Sequence, residues 1–216
     1  MLLVALTGGI ATGKSVVGSI LKEKGCYVQN ADLLAHELMQ PETPVWKNLV
    51  VHFGPGILKD DGSIDRARLA AIVFRDEEER EYLNKITHPA VMEKVKQTVC
   101  WLEQEKKYEI YVTEAALVIE AGFQDFYDRL ILTHCKPELQ LSRLMRRNGL
   151  SEKEALARLQ AQLPQEKKKP YVHYLIDTSG SLEETVEQTE KVYFRLYQEA
   201  ILKKIGQLEK LPDRNR

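Results

Sequence analysis

Residues Gly8-Gly9-Ile10-Ala11-Thr12-Gly13-Lys14-Ser15 constrain this chain more than any other stretch. They follow the apolar run Leu2-Leu3-Val4-Ala5-Leu6, and Val16, Val17, Ile20 and Leu21 then recur at helical spacing. A strand, a glycine loop of the form G-x-x-x-x-G-K-S and a helix are the ingredients of a phosphate-binding turn. Glycines let the backbone curl so that successive N–H groups converge on phosphate oxygens, and the new helix adds the positive end of its dipole. Gly8, Gly9, Ile10, Ala11, Thr12, Gly13, Lys14, Ser15 and Val16 are therefore the expected cradle of a nucleoside triphosphate. Lys14 would reach the β- and γ-phosphates, and the Ser15 hydroxyl would hold Mg²⁺. A chain of this length shows the pattern by chance on the order of once in a hundred. The alternative is a glycine-rich strand–helix turn that binds nothing.

Composition narrows the class. With 216 residues, 44% hydrophobic, 29% charged and a net charge of -1, the chain can bury one sizeable core and has no global attraction to nucleic acid or anionic membrane. No apolar run approaches membrane-spanning length, and the first apolar run leads straight into the loop rather than into a signal-peptide cleavage site. Cys26, Cys100 and Cys135 lie far apart with no C-x-x-C, which suggests free thiols in a reducing, cytoplasmic setting. The five histidines show no metal-ligand spacing.

Short apolar runs alternate with helical patterns, the signature of a parallel α/β sheet. Strands are expected at Leu2–Thr7, Cys26–Gln29, Ile110–Thr113, Leu130–Thr133 and Tyr174–Ile176. Pro137 and Gly149 mark the start and stop of one helix. Ser151…Glu154 and Ser181…Glu184 are capping boxes, and the second opens a long helix from Leu182 to Ile205. Residues 206–216 are expected to form a C-terminal tail, frayed over Leu211–Arg216. Residues 36–107 are too many for one crossover helix. They read as a helical insertion broken at Phe53-Gly54-Pro55-Gly56 and Lys59-Asp60-Asp61-Gly62, with a new helix beginning at His88-Pro89. Such an insertion is either a substrate-binding subdomain or a scaffold arm.

Parallel strands deliver their C-terminal ends to the sheet edge that carries the loop. Two acids fall there. Asp32 follows the second strand, as a proton acceptor from a hydroxyl or as a helix N-cap. Glu114 follows the third strand, as an acid acting on Mg²⁺ through water or as an ordinary strand-end acid. Arg143 and Arg147 are four apart and share a helix face; they either clamp phosphate oxygens or lie solvated. The run Lys167-Lys168-Lys169 reads as solvent-exposed or as part of a lid.

The order of further motifs resembles the dephospho-coenzyme A kinase family from Leu2 to Lys191. The opening Val4 to Ile10 running into Gly13-Lys14-Ser15, the block Ala31-Asp32-Leu33-Leu34-Ala35, the pair His88-Pro89, Leu117-Val118-Ile119-Glu120, the stretch Gln140–Arg147, Ala161-Gln162 and Ile176–Gly180 all have counterparts there. The resemblance implies an α/β P-loop NTPase three-layer fold with a five-stranded parallel sheet, a helical substrate-binding insertion and a helical lid near residues 140–170 on a core of residues 1–35 and 108–205. It implies ATP with Mg²⁺, and phosphorylation of the ribose 3′-hydroxyl of dephospho-CoA. Lys14, Asp32, Arg143 and Arg147 would be catalytic, and Ser15 and Glu114 would serve the metal. Ser179 and Gly180 would lie near adenine. Thr7, Asp32, His36, His88, Leu117 and Glu120 would bind the acceptor. No nucleic-acid or membrane partner is expected, and a monomer or weak homo-oligomer is. Asn30, His36, Ala116, Val172-His173 and Thr178 depart from the family's usual residues. Another small-molecule or nucleoside kinase, or a slow NTP-hydrolysing switch, are the competing readings.

Overall fold

A computed structural model describes residues 1–209, and the expected frayed end at Leu211–Arg216 lies outside them. In chain order the elements are β1 (Leu2–Gly8), α1 (Lys14–Glu23), β2 (Tyr27–Asn30), α2 (Ala31–Leu38), α3 (Pro44–Phe53), α4 (Arg66–Val73), α5 (Glu77–Glu105), β3 (Ile110–Glu114), β4 (Arg129–His134), α6 (Pro137–Asn148), α7 (Glu152–Gln160), α8 (Gln165–Lys168), β5 (Tyr174–Asp177) and α9 (Leu182–Lys204). The described residues form two compact units, one from residues 1–29 and 101–209, the other from Asn30–Cys100.

The first unit is built on a five-stranded sheet in the order β2-β3-β1-β4-β5. Strand β1 lies between β3 and β4 and runs parallel to both, with Leu6 opposite Glu114 and Gly8 opposite Thr133. A central parallel strand is covered on both faces and so reads as an unbroken apolar run, which is how Leu2 to Leu6 reads. On one face Leu2, Val4 and Leu6 pack with Val17 and Leu21 of α1 and Val192 and Leu196 of α9. On the other face Ala5, Leu130 and Leu132 pack with Val118, Ile119 and Tyr127. The helix-stop signals hold: Gly149 ends α6 in the left-handed conformation, and both capping boxes are formed. The start of the C-terminal tail, Gln207 to Glu209, is anchored. Leu208 packs against the core, and the Glu209 carbonyl accepts from Arg129 at 3.2 Å. Arg129 is buried and also pairs with Glu199 at 2.8 Å.

The second unit has its own core of Val45, Leu49, Ile57, Ile64, Leu69 and Val73. Its turns fall where the glycine and aspartate clusters predict them, with Gly54 and Gly62 at positive φ. The His88-Pro89 expectation fails. Pro89 lies inside the continuous 29-residue helix α5. A proline in a helix interior costs roughly 3 kcal/mol. Here Ile86 before it and Ala90 after it both pack on the same core, so tertiary burial holds the helix together across the break.

Candidate active site

The loop after β1 takes the expected shape. Ala11 stands at φ 62° and Gly13 at φ 84°, and the Thr12 N–H closes a turn on the Gly9 carbonyl at 3.3 Å. Left-handed residues set between ordinary ones swing successive N–H groups to one concave side, the geometry of an anion nest. Two glycines are also required sterically. A Cβ on Gly8 would meet Thr133 Oγ1 at 2.3 Å, and one on Gly9 would meet Gln140 Nε2 at 2.6 Å. The Lys14 ammonium folds over the loop, donating to the Gly8 carbonyl at 2.9 Å and the Gly9 carbonyl at 3.0 Å. Val16 is exposed in the first turn of α1.

Ser15 and Glu114 meet directly. The Ser15 hydroxyl donates to Glu114 Oε1 at 2.8 Å. Register puts Glu114 opposite Leu6, two residues short of the loop, and the carboxylate is buried. A Cβ on Gly18 would come within 3.2 Å of Glu114 Oε2, so Gly18 leaves room for this acid beside α1. A hydroxyl and a carboxylate at the foot of an anion nest are hard oxygen donors suited to Mg²⁺, directly or through water. No cluster of three His, Cys, Asp or Glu side chains that could by itself hold a metal occurs among the described residues, so such an ion would complete its shell from phosphate and water.

Arg143 is tied down. Its Nη1 donates to Thr178 Oγ1 at 3.1 Å and its Nη2 to the Thr178 carbonyl at 2.8 Å. Thr178, one of the departures from the family pattern, is buried, and its hydroxyl donates to the Thr12 carbonyl of the loop at 3.0 Å. Arg147 is exposed on the same helix and donates to Asn148. Ser179 accepts from the Lys136 N–H at 3.0 Å. At Gly180 the carboxylate end of Glu184, a member of the capping box, lies across the position a Cβ would take.

Other predicted acceptor residues of the first unit serve packing in this conformation. Thr7 is buried, with its hydroxyl on the Ala116 carbonyl at 3.2 Å. Leu117 opens a turn closed by the Ala121 N–H. Glu120 pairs with Lys168 at 2.7 Å and accepts the Leu163 N–H at 3.1 Å. Within Lys167-Lys168-Lys169, Lys167 is exposed as expected, whereas Lys168 is completely buried, which corrects the solvent-exposed reading at that one position. Charge composition marks lysines as exposed, but an acid 48 residues earlier in the chain pulls this one inside. The His173 departure is absorbed in the sheet, where its Nδ1 accepts from the Leu130 N–H at 2.9 Å.

In the second unit Asp32 is exposed in the first turn of α2. It is not the cap of that helix: Asn30 Oδ1 accepts from the N–H groups of Asp32 and Leu33 at 2.9 and 3.0 Å. Asn caps as well as Asp, so the Asn30 departure preserves the cap. His36 Nδ1 lies 3.3 Å from Arg66 Nη1. Burial first, and then the Arg66 charge, hold its pKa below the ordinary histidine value, against the opposing pull of Asp32. His88 lies within α5, next to Pro89.

Sequence reasoning assigns no chemical role to Gln140 and Gln162, which hold the loop (Ile10 N–H to Gln162 at 2.8 Å, Gln140 to the Ile10 carbonyl at 2.8 Å), or to Gln165, which holds Gln140 at 2.9 Å. One signal pointed to Gln140: it stands four residues before Leu144, on the buried stripe of α6, where an apolar residue is the rule.

Sheet order, loop geometry and the lysine–serine–glutamate arrangement define a P-loop kinase of the α/β class. The family model described as CoaE, dephospho-CoA kinase, matches residues 2–184. Among curated proteins, the dephospho-CoA kinase of Aquifex aeolicus is 40% identical over 193 residues, 89% of this chain and 96% of that protein. That of Syntrophus aciditrophicus is 39% identical over 196 residues, 91% of this chain and 83% of that protein. Among solved structures, TT1252 from Thermus thermophilus superposes with a TM-score of 0.76 at 29% identity, covering 90% of this chain and 96% of that one. The dephospho-CoA kinase from Campylobacter jejuni superposes with a TM-score of 0.66 at 28% identity, covering 91% and 97%. The chain belongs to the dephospho-CoA kinase family, and it is a phosphotransferase.

Proposed function

We propose that this kinase moves the γ-phosphoryl group of ATP to the ribose 3′-hydroxyl of dephospho-CoA, giving coenzyme A and ADP, with the roles divided as follows. Gly8 to Val16 form the cradle of the triphosphate, which loop N–H groups between Gly9 and Ser15 that are not held by other partners bind together with the Lys14 ammonium. Mg²⁺ would be held by the Ser15 hydroxyl with Glu114 behind it, and when bound it offsets charge on the phosphate oxygens. Asp32 takes the proton from the acceptor hydroxyl, and its carboxylate carries no capping duty that would compete. Arg143 and Arg147 neutralise charge that spreads over the transferring group. Ser179 and Gly180 border the adenine. Thr7, His36, His88, Leu117 and Glu120 shape the acceptor site. A lid over residues 140–170 excludes water, which would otherwise compete as acceptor.

The observation that carries this reading is the Ser15–Glu114 contact beneath an anion nest whose Gly8 and Gly9 carbonyls already seat the Lys14 ammonium. No disulfide joins cysteines among the described residues, which suits a reducing compartment, so we place the reaction in the cytoplasm. No described helix is long and apolar enough to cross a membrane. No nucleic-acid partner is proposed, and the working unit is a monomer or weak homo-oligomer.

The test is ATP-dependent ADP release against a panel of acceptors, with and without Mg²⁺. Dephospho-CoA should be preferred over nucleosides and nucleoside monophosphates. Asp32→Asn should keep the wild-type thermal midpoint and lose ~10²-fold or more in turnover. Turnover of that variant near the wild-type rate would remove Asp32 from the role of base.

A further inference from the structure

Ile10 has no side-chain chemistry, yet both of its backbone polar groups are gripped from outside the loop. Its N–H donates to Gln162 Oε1 at 2.8 Å, and its carbonyl accepts from Gln140 Nε2 at 2.8 Å. Gln140 is buried and is itself fixed, because its Oε1 accepts from Gln165 Nε2 at 2.9 Å. Gln165 in turn accepts the Cys135 N–H at 3.0 Å and donates to the Cys135 carbonyl at 3.2 Å. The chain has made room for this grip, since a side chain at Gly9 would collide with Gln140.

In a trans peptide the carbonyl and the N–H of one amide point in opposite directions. All peptide bonds here are trans among the described residues. Holding the Ile10 carbonyl toward Gln140 therefore turns the Ala11 N–H away from it. Holding the Ile10 N–H toward Gln162 likewise turns the Gly9 carbonyl away, and there it meets Lys14 Nζ at 3.0 Å and Thr12 Oγ1 at 2.8 Å. Ala11 sits at φ 62°, a conformation that an L-residue keeps only when its surroundings enforce it.

We propose that Gln140 and Gln162 are positioning residues for phosphoryl transfer: by clamping the two amides that flank Ile10, they aim the Ala11 N–H and seat the Lys14 ammonium before the triphosphate arrives. This rests on the reading that the loop holds the ATP phosphates. Donors fixed in advance need no reorganisation when charge develops, which is where their catalytic value lies. The clamp comes from α6, which also carries Arg143, and from the segment after α7.

The experiment measures binding of a non-hydrolysable ATP analogue with Mg²⁺ by calorimetry on the full chain, together with steady-state kinetics for both substrates. Gln140→Leu and Gln162→Leu should each weaken analogue binding about tenfold, the scale of one misdirected amide hydrogen bond, and lower kcat, with KM for dephospho-CoA within twofold of wild type. Gln140→Glu keeps shape and the acceptor toward Gln165 but loses the donor to Ile10, so it should behave like Gln140→Leu. Gln162→Glu keeps the acceptor for the Ile10 N–H and should stay within threefold of wild type. Wild-type affinity in both Leu variants would overturn the proposal, as would equal losses in the two Glu variants, which is what added charge alone would produce. A lowered thermal midpoint with unchanged affinity would also overturn it. If the wild-type protein itself binds no analogue, the reading of the loop falls too; binding by wild type with unaltered variants sinks the clamp alone.

Discussion

Lys168→Met tests how a buried charge holds the segment after α7 to the rest of the first unit. The Lys168 side chain is completely buried. Its Nζ lies 2.7 Å from Glu120 Oε1 and donates to the Ala116 carbonyl at 2.9 Å. Methionine fills nearly the same volume, so the loss is electrostatic rather than a cavity. Stranding one partner of a buried pair costs about 3–5 kcal/mol. Glu120 keeps 21% of its side chain accessible and still accepts the Leu163 N–H at 3.1 Å. Its stranded carboxylate can thus reach water, which puts the cost near the low end, about 3 kcal/mol. In a chain of 216 residues each kcal/mol moves the thermal midpoint by ~2–4 °C, so a fall of ~6–12 °C is expected. The complementary Glu120→Leu should cost more, because it leaves the ammonium stranded with no water in reach. The double variant should recover at least half of the summed losses. Calorimetry of all four proteins at pH 7 decides the matter. Strictly additive midpoints, or a Lys168→Met midpoint equal to wild type, would show that the pair does no holding.

Three further outcomes are expected. Glu114→Gln keeps an acceptor for Ser15 but removes the charge behind it, so the Mg²⁺ concentration for half-maximal activity should rise about tenfold with little change in thermal midpoint; an unchanged Mg²⁺ requirement would count against Glu114 as a metal-supporting acid. His36 has a folded-state pKa below its ordinary value. The unfolded chain then binds more protons between the two values, so stability is full above about pH 6.5 and falls as pH drops through that window. His36→Asn should flatten this acid slope, read from urea midpoints at pH 7.5 and 5.5. Burial pushes the Cys26 thiol up to about 12 and raises that of Cys135, whereas Cys100 is exposed. Native protein at pH 8 should therefore take up one equivalent of iodoacetamide, at Cys100, and three after unfolding; rapid native labelling of Cys26 would contradict its burial.

Local chemistry made much of this protein legible in advance. All five strands announced themselves as apolar runs, each within about a residue of its observed ends. Gly149, Pro137 and the two Ser-x-x-Glu boxes act at the positions where backbone rules put them. The loop was readable because its requirements are local: glycine where φ is positive or space is short, lysine and serine where the helix begins. Asn30 shows the limit of such reading. Two polar residues compete to cap α2, and only the folded chain shows that Asn30 does so and Asp32 does not.

Helix-breaking at Pro89 is also a local rule, and packing on both sides of the break outweighs it. Lys168 was misread because a lysine's exposure depends on whether the fold brings an acid to it, and Glu120 is 48 residues away in the chain. The same holds for Gln140 and Gln162, 130 and 152 residues from Ile10. The sequence by itself determined which segments become strands and helices and where phosphate can be gripped, since those depend on neighbours within a few residues. Only the tertiary structure decided which distant side chains complete that grip, because partners for a buried charge or amide are chosen by the path of the chain through space.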